Sequence, residues 1–390
     1  MAEKVKCEIC GALTHTIEGH LIKEHPEMKI GEYKARFPDA QLLSEYAKEM
    51  IRKRQEQLKS QIKLNDGQEF FHEVFGFDST NNDAFSAKGN PIPIQVLNRA
   101  VTHENPTTDE QKVENESAIM IPEINNDYVF DTLELKRVMS GVEMNIPVYV
   151  WGHKGAGKTE LVEQICARTN RPLMRVQHTV NTEESQIVGQ WVVRNGQTEF
   201  ELGPLPLAMI RGWAYLADEY DFAMPNVLST YQAVLEGKPL TIKEAPIEMR
   251  IIRPHKDFRF FATGNTNGSG DETGLYQGTT LQNSANYDRF GVVIHKSYMT
   301  MDDEIEILRK NTKLSAKDAQ DLVRFAHAVR EAFDSGKISD TISPRTLLFA
   351  AKLGVVHASF QTGLELSFFN KLNAVDNKVC QEFAQRIFGV

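Results

Sequence analysis

Residues 152–159, "GHKGAGKT", constrain what this chain can fold into more than any other stretch. They follow the apolar run "IPVYVW" and lead into "ELVEQICARTN", whose periodicity predicts a helix. Gly-x-x-x-x-Gly-Lys-Thr between a strand and a helix is the phosphate-loop pattern. Gly152, Gly155 and Gly157 let backbone N–H groups curl around phosphate oxygens, and the helix N-terminus adds the positive end of its dipole. Lys158 is expected to reach the β- and γ-phosphates of ATP, and Thr159 to ligate Mg²⁺.

The chain around the loop reads as an α/β core. Short runs, apolar on both faces, occur at "VYVW", "PLMRVQ", "WAYLAD", "FRFFAT" and "GVVIHK", separated by helix-length segments. That is the pattern of a parallel sheet covered on both sides. Two hairpins interrupt it. "QWVVRNGQTEFEL" carries Asn195-Gly196 between alternating runs, and "PLTIKEAPIEMRIIRP" reads as a second hairpin with weaker turn signals. After Met301 the periodicity turns helical, predicting a helical lid behind the core.

Composition sets outer bounds. The chain has 390 residues, 41% hydrophobic and 25% charged, enough for two or three domains with a buried core. Its net charge of −9 argues against a broad nucleic-acid surface. No apolar run reaches the roughly 18 residues needed to cross a bilayer, and "MAEKVKCEIC" lacks a signal-peptide core. Four cysteines are too few and too unevenly placed for a disulfide scaffold, so a reduced, cytoplasmic setting is expected. The organisation predicted is a Cys/His module over 1–40, a helix and polar linker over 41–118, the nucleotide-binding core over 119–300 and the lid over 301–390. The helix, 41–64, is charged and expected to be mostly solvated; residues 102–118, with a proline and almost no large apolar side chain, have linker composition.

A phosphate loop alone does not hydrolyse ATP. In "GWAYLADEYD" an apolar strand ends in two carboxylates. Asp218 is placed to hold Mg²⁺ through water, and Glu219 to polarise the attacking water as general base. "FRFFATGNTNG" ends a further strand in Asn265, an amide suited to orient that water, with Asn267 competing for the role. Arg289, in "ANYDRFGVVI", is either a finger offered to a neighbouring subunit's nucleotide or the partner of Asp288 in a surface pair. Arg345 follows Ser343 and Pro344 at the start of a lid helix, within reach of the γ-phosphate.

The phosphate loop, "LADE", "ATGNT", "DRF" and "SPR", in this order and with a helical lid, resemble AAA+ ATPases of the MoxR and chelatase clade. "EINNDYVFD", "DEYDFAMPNVLSTYQAVLEG", "IRPHKDFRFFATGNTNGSGDETGLYQGT" and the tail "LSFFNKLNAVDNKVCQEFAQRIFG" resemble more specifically the CobS-type ATPase subunits of aerobic cobaltochelatase, and "EVFGFDSTNNDAFS" resembles that family's N-terminal segment. The resemblance covers about residues 70–390. It implies a homo-oligomeric ring, a hexamer in that family, hydrolysing ATP between subunits. It also implies a partner with a von Willebrand A-type domain and a large chelatase subunit, together driving Co²⁺ into a corrin ring. The two hairpins would face the ring's pore or the partner. Two other readings stand beside this one: a MoxR-like chaperone that matures a partner protein, and a DNA-binding zinc-finger ATPase.

The N-terminal "CEICGALTHTIEGHLIKEH" spaces Cys7-x₂-Cys10 and His20-x₄-His25 as ligands of tetrahedral Zn²⁺, with His15 a further candidate. A module of about 40 residues with so few large apolar side chains needs such a staple. The stretch also resembles the zinc finger of Ros/MucR-type bacterial regulators. Residues 1–64 carry 12 Lys+Arg against 10 Asp+Glu, a net of +2, and the finger helix offers only Lys23 as a base. That makes a poor reader of duplex DNA, so a protein-docking or purely structural finger is expected. Among smaller signals, His153 is expected to point to solvent and Cys166 and Cys380 to be packed thiols. Trp191 is either a pore contact or a sheet-packing residue.

Overall fold

Five strands build the central sheet: β1 (Val148–Trp151), β2 (Leu173–Gln177), β3 (Ala214–Asp218), β4 (Arg259–Gly264) and β5 (Val292–His295). Their order is β5-β1-β4-β3-β2 and every pairing is parallel. All five coincide with the apolar runs expected to be strands. β3 and β4 are buried at every residue, as strands covered on both faces must be. The register sets Gln177 opposite Asp218 and Gly264 opposite Trp151. The phosphate loop, the acid pair and Asn265 therefore all leave the sheet at one carboxyl edge, where ligands bind in open α/β sheets. This computed structural model describes residues 3–37, 40–271, 274–276 and 278–389; residues 38–39, 272–273 and 277, within stretches quoted above, lie outside the described residues.

The first hairpin pairs Gly189–Arg194 with Gln197–Leu202. Asn195 and Gly196 both take positive φ, 50° and 79°, the turn that matches strand twist. The second is shorter, Leu240–Thr241 against Ile251–Ile252, with a 3₁₀ turn at Ile247–Met249 between them. The lid comprises Met301–Thr312, Ala316–Asp334, Pro344–Val356, Phe360–Ser367 and Ala374–Phe388. Ser315, Ser343 and Ser359 cap three of these helices through their side chains. The lid has its own apolar core around Leu322, Phe325, Ala350 and Phe369. Inside it, the buried Arg330 guanidinium grips both oxygens of Glu304, at 2.7 and 2.8 Å.

Backbone contacts divide the chain into two units, Met1–Val96 and Leu97–Val390. Unit one holds a small Val5–Lys6/Leu13–Thr14 ribbon, the helices Ile17–Glu24 and Ile30–Arg36, and the helix Glu45–Gln61, of whose residues Ala47 is buried. Unit two begins with Leu97, whose N–H donates to the Thr169 carbonyl at 3.0 Å. The polar stretch read as linker is partly ordered: Asp109–Met120 is a helix, started by a Thr108/Gln111 capping box. None of its residues is buried, so composition alone could not reveal it. It is held by polar contacts, with the Trp213 indole N–H donating to Ser117 Oγ at 2.9 Å, and by Met120, partly buried against the core.

Candidate active site

The phosphate loop leaves β1 with three glycines in conformations other residues avoid: φ is 153° at Gly152, 72° at Gly155 and 83° at Gly157. A Cβ at Gly152 would collide with the Lys296 carbonyl, and one at Gly155 would stand 2.5 Å from Ser343 Cβ. The helix Lys158–Arg168 follows at once. Loop, acid pair, Asn265 and Arg345 line one cavity of about 650 Å³.

Lys158 Nζ donates to the carbonyls of Gly152 and His153, at 2.7 and 3.1 Å, and to Asn265 Oδ1 at 3.0 Å. Burial pushes its ammonium down to about 8, against the pull of Asp221, Asp218 and Glu219. A desolvated lysine held by neutral oxygens is an electrostatic vacancy suited to a polyphosphate. Thr159 Oγ1 donates to Asp218 Oδ1 at 2.9 Å. Hard oxygen donors side by side beside the loop fit a Mg²⁺ shared with phosphates. Glu219, next in the chain, takes φ of 54°, a left-handed conformation that costs a side-chain-bearing residue about 1 kcal/mol. That turn directs its carboxylate into the cavity, where Oε2 accepts from Gln177 Nε2 at 2.8 Å.

Asn265 is held by its backbone. The buried Asp221 carboxylate accepts from the N–H groups of Asn265 and Thr266, both at 2.8 Å, and from Thr266 Oγ1 at 3.0 Å. Burial raises the Asp221 pKa. Asn267 does not line the cavity; its Oδ1 caps the Ser269 N–H at 3.1 Å. Arg345 reaches the cavity from the first turn of Pro344–Val356, where Ser343 Oγ accepts from Thr346 N–H at 3.1 Å. Arg289 is elsewhere. It pairs with Glu236 Oε1 at 2.7 Å rather than with Asp288, and donates to the Ala285 carbonyl.

His153 departs from expectation. It is half-buried instead of solvated: Nδ1 lies 3.0 Å from the Tyr276 hydroxyl, and the ring stacks on Tyr298 and meets the edge of Phe333. Tyr276 also accepts from Lys154 N–H at 2.9 Å, and Lys154 Nζ pairs with Asp340 of the lid at 2.5 Å. The outer arc of the phosphate loop is thereby wired to the lid. Five contributors escaped the sequence reading: Arg175, Gln177, Asp221, Thr263 and Tyr276. Arg175 and Gln177 alternate along β2, an arginine and an amide near the carboxyl end of an otherwise apolar strand, and that was the available signal. Trp191 is half-exposed on the first hairpin and donates to the Glu244 carbonyl at 3.0 Å, tying the two hairpins together. Cys166 and Cys380 are buried free thiols, each pushed up to about 12 by burial.

In unit one the ligand atoms of Cys7, Cys10, His20 and His25 all lie within 4.8 Å of one another. Cys10 Sγ and His20 Nε2 are 3.1 Å apart, and the buried His25 Nε2 has no hydrogen-bond partner among the described residues. His15 stands apart, its Nδ1 2.8 Å from Ser44 Oγ.

Residues 147–290 match the AAA domain of the dynein-related subfamily, and residues 304–382 match the CbbQ/NirQ/NorQ C-terminal family. The chain is 35% identical over 280 residues to the aerobic cobaltochelatase subunit CobS of Sinorhizobium sp., covering 69% of this chain and 83% of that protein. It is 29% identical over 179 residues to midasin of Dictyostelium discoideum, covering 45% of this chain and 3% of that protein. A solved mutant of Thermotoga maritima RuvB superposes with a TM-score of 0.41 at 12% identity, over 64% of this chain and 73% of that one. No helix among the described residues is long and apolar enough to cross a membrane. The AAA match over the loop and acid pair makes the chain an ATPase that uses ATP and Mg²⁺. At this identity and coverage, it belongs to the family of AAA ATPases that includes the cobaltochelatase subunit CobS.

Proposed function

We propose that the protein is the ATP-hydrolysing subunit of a homo-oligomeric ring, a hexamer, that remodels a partner carrying a von Willebrand A-type domain. Its process is metal insertion with a large chelatase subunit. Lys158 and Thr159 hold phosphates and Mg²⁺, Asp218 holds Mg²⁺ through water, Glu219 is the general base and Asn265 orients the water. Arg345 couples lid position to nucleotide state, and Arg289 acts in trans. One observation carries the reading: Lys158, Thr159, Asp218, Glu219, Asn265 and Arg345 line one cavity, whereas Arg289 lies outside it on its own chain's surface. Glu219→Gln is expected to bind ATP and cut turnover about 10²–10³-fold; unchanged turnover removes Glu219 from the chemistry. Rings mixed from Arg289→Ala and Lys158→Ala subunits should recover part of the activity each lacks alone, and no recovery at any ratio rejects the trans role.

The match of the lid to the CbbQ/NirQ/NorQ C-terminal family favours a second reading, a MoxR-like chaperone that matures a partner protein without cobalt insertion. Partners copurified with the tagged chain separate the two: a large chelatase subunit supports metal insertion, and a von Willebrand A-type protein alone supports maturation. In unit one, Cys7, Cys10, His20 and His25 hold structural Zn²⁺, the donor set of a closed tetrahedral site. The finger so formed docks protein rather than DNA, in keeping with its near-neutral charge.

A further inference from the structure

The Asp218 carboxylate already has a cation. Its Oδ2 accepts from Arg175 Nε at 2.8 Å and Arg175 Nη2 at 2.6 Å, a two-pronged pairing. Its Oδ1 is taken by the hydroxyls of Thr159 and Thr263. Both oxygens of Asp218 therefore have donors. The Asp218 side chain is 5% exposed, whereas that of Arg175 is 46% exposed and lines the cavity. The guanidinium approaches from the open side, the side from which a metal–nucleotide complex must arrive.

Arg175 also has a second anchor. Its Nη1 stands 3.3 Å from Glu163 Oε1. Glu163 lies on the helix Lys158–Arg168, one turn beyond Thr159. Burial is the largest influence on Glu163 and raises its pKa, while Arg175 opposes that rise. One guanidinium thus spans two carboxylates, one reserved for metal and one not. When a divalent cation draws on Asp218, the arginine keeps a partner and its charge is not stranded.

We propose that Arg175 is the resident counter-ion of Asp218, which Mg²⁺ must displace, and that Glu163 receives the arginine when it is displaced. Arg175 is a positioning residue acting through Asp218. It keeps the empty site from collecting a bare divalent cation and makes metal entry depend on the phosphates that accompany it. The proposal rests on the reading of Asp218 as the Mg²⁺ holder.

The test measures metal affinity rather than turnover. Mn²⁺ binding to the full-length protein, saturated with ADP, is followed by the loss of the free-ion electron paramagnetic resonance signal. Arg175→Ala should tighten Mn²⁺ about five-fold, the scale of a partly exposed ion pair. Arg175→Lys, which keeps the charge but loses the fork, should fall between. Glu163→Gln should weaken Mn²⁺ about two-fold by leaving the arginine on Asp218. In an Arg175→Ala background, Glu163→Gln should have no further effect. An unchanged or weaker Mn²⁺ affinity in Arg175→Ala overturns the proposal, as does a Glu163→Gln effect that persists without the arginine. Asp218→Asn separates the two levels: if it weakens Mn²⁺ while Arg175→Ala does nothing, the displacement idea alone fails. If it leaves Mn²⁺ unchanged, the assignment of Asp218 fails as well. Arg175 is half-exposed, so its variants are expected to fold; equal thermal melts of the metal-free proteins establish this.

Discussion

Around the Cys/His cluster the buried apolar residues among the described ones are Val5, Cys7, Ile17, Leu21 and Tyr33, with Met28, Ile30, Phe37, Ala40 and Leu42 partly buried against them. Behind the nucleotide cavity, by contrast, an aromatic-rich core runs from Tyr149 through Tyr215, Tyr231, Phe260 and Phe290. The first region gathers its polar side chains at a point where its core is thin. The second gathers more of them, among them a desolvated lysine, a buried aspartate and a glutamate in a left-handed turn, over a sheet able to carry the cost. The difference teaches which region can exist without its ligand. A site on a large core can be unfavourable by several kcal/mol and persist; a site on a small core must itself supply the folding energy.

The largest expected effect follows from that asymmetry. If Cys7, Cys10, His20 and His25 hold Zn²⁺ as proposed, a chelator or Cys10→Ser should unfold residues of the first module. Structural Zn²⁺ contributes on the order of 10 kcal/mol in such modules, more than so small a core provides. Amide exchange across Val5–Lys6 and Ile17–Glu24 should become unprotected while β3 and β4 keep their protection. Retained protection in the metal-free module would break the comparison, because the small core would then suffice.

A buried ion pair probes the second region from the lid side. Glu304→Ala leaves the Arg330 guanidinium buried against Tyr298 without its carboxylate. A loss of about 3–5 kcal/mol is expected in urea unfolding. A loss below about 1 kcal/mol would show that water replaces the carboxylate and that the lid core is looser than its packing implies.

Lys158 tests whether the sheet carries the site's cost. Its folded-state pKa, about 8, lies below the usual 10.5. Between those values the unfolded chain binds more protons than the folded one, so nucleotide-free stability should rise as pH climbs from 8 to 10. The same shift means that the charged ammonium, net of its carboxylate neighbours, costs on the order of 3 kcal/mol at pH 7. Lys158→Met should stabilise the nucleotide-free protein by up to that amount, flatten the pH dependence and abolish ATP binding. In the unmodified protein ATP affinity should fall as pH rises past 8. A destabilised Lys158→Met variant would mean that the three oxygens gripping Nζ already offset its burial.

These contrasts also explain what could be read in advance. The loop, the strand-end carboxylates and Asn265 were legible because each directly follows an apolar run that the chain itself displays, although Asn265 is held by Asp221, 44 residues away. Lys158 needs only its own loop to meet Gly152, and β3 delivers Asp218 by simple alternation. Arg175 and Gln177 were not legible, because their importance comes from the register that sets β2 beside β3. His153 was misjudged for a like reason: its neighbours Tyr276, Tyr298 and Phe333 lie more than a hundred residues away. The helix Asp109–Met120 was hidden by a composition that buries nothing. The cluster Cys7, Cys10, His20 and His25 was legible through spacing, whereas only the fold shows that His15 lies outside it, beside Ser44.

The smallest effect should come from a third kind of support, turn chemistry. The hairpin Gly189–Arg194/Gln197–Leu202 is exposed along most of its length; Phe200 is its buried residue, and Trp191 links it to the Glu244 carbonyl. Its register depends on Asn195 and Gly196, both at positive φ. Nothing lies within 4 Å of a Cβ built on Gly196, so Gly196→Ala adds no clash and costs backbone strain alone, about 1 kcal/mol. Because the strands hang on few core contacts, that cost should appear as local opening rather than global unfolding. Amide exchange in the hairpin should quicken about five-fold, with β3 and β4 unchanged and basal ATP affinity unaffected. If the whole of unit two loses stability instead, the hairpin belongs to the cooperative core, and turn chemistry is not a separate support.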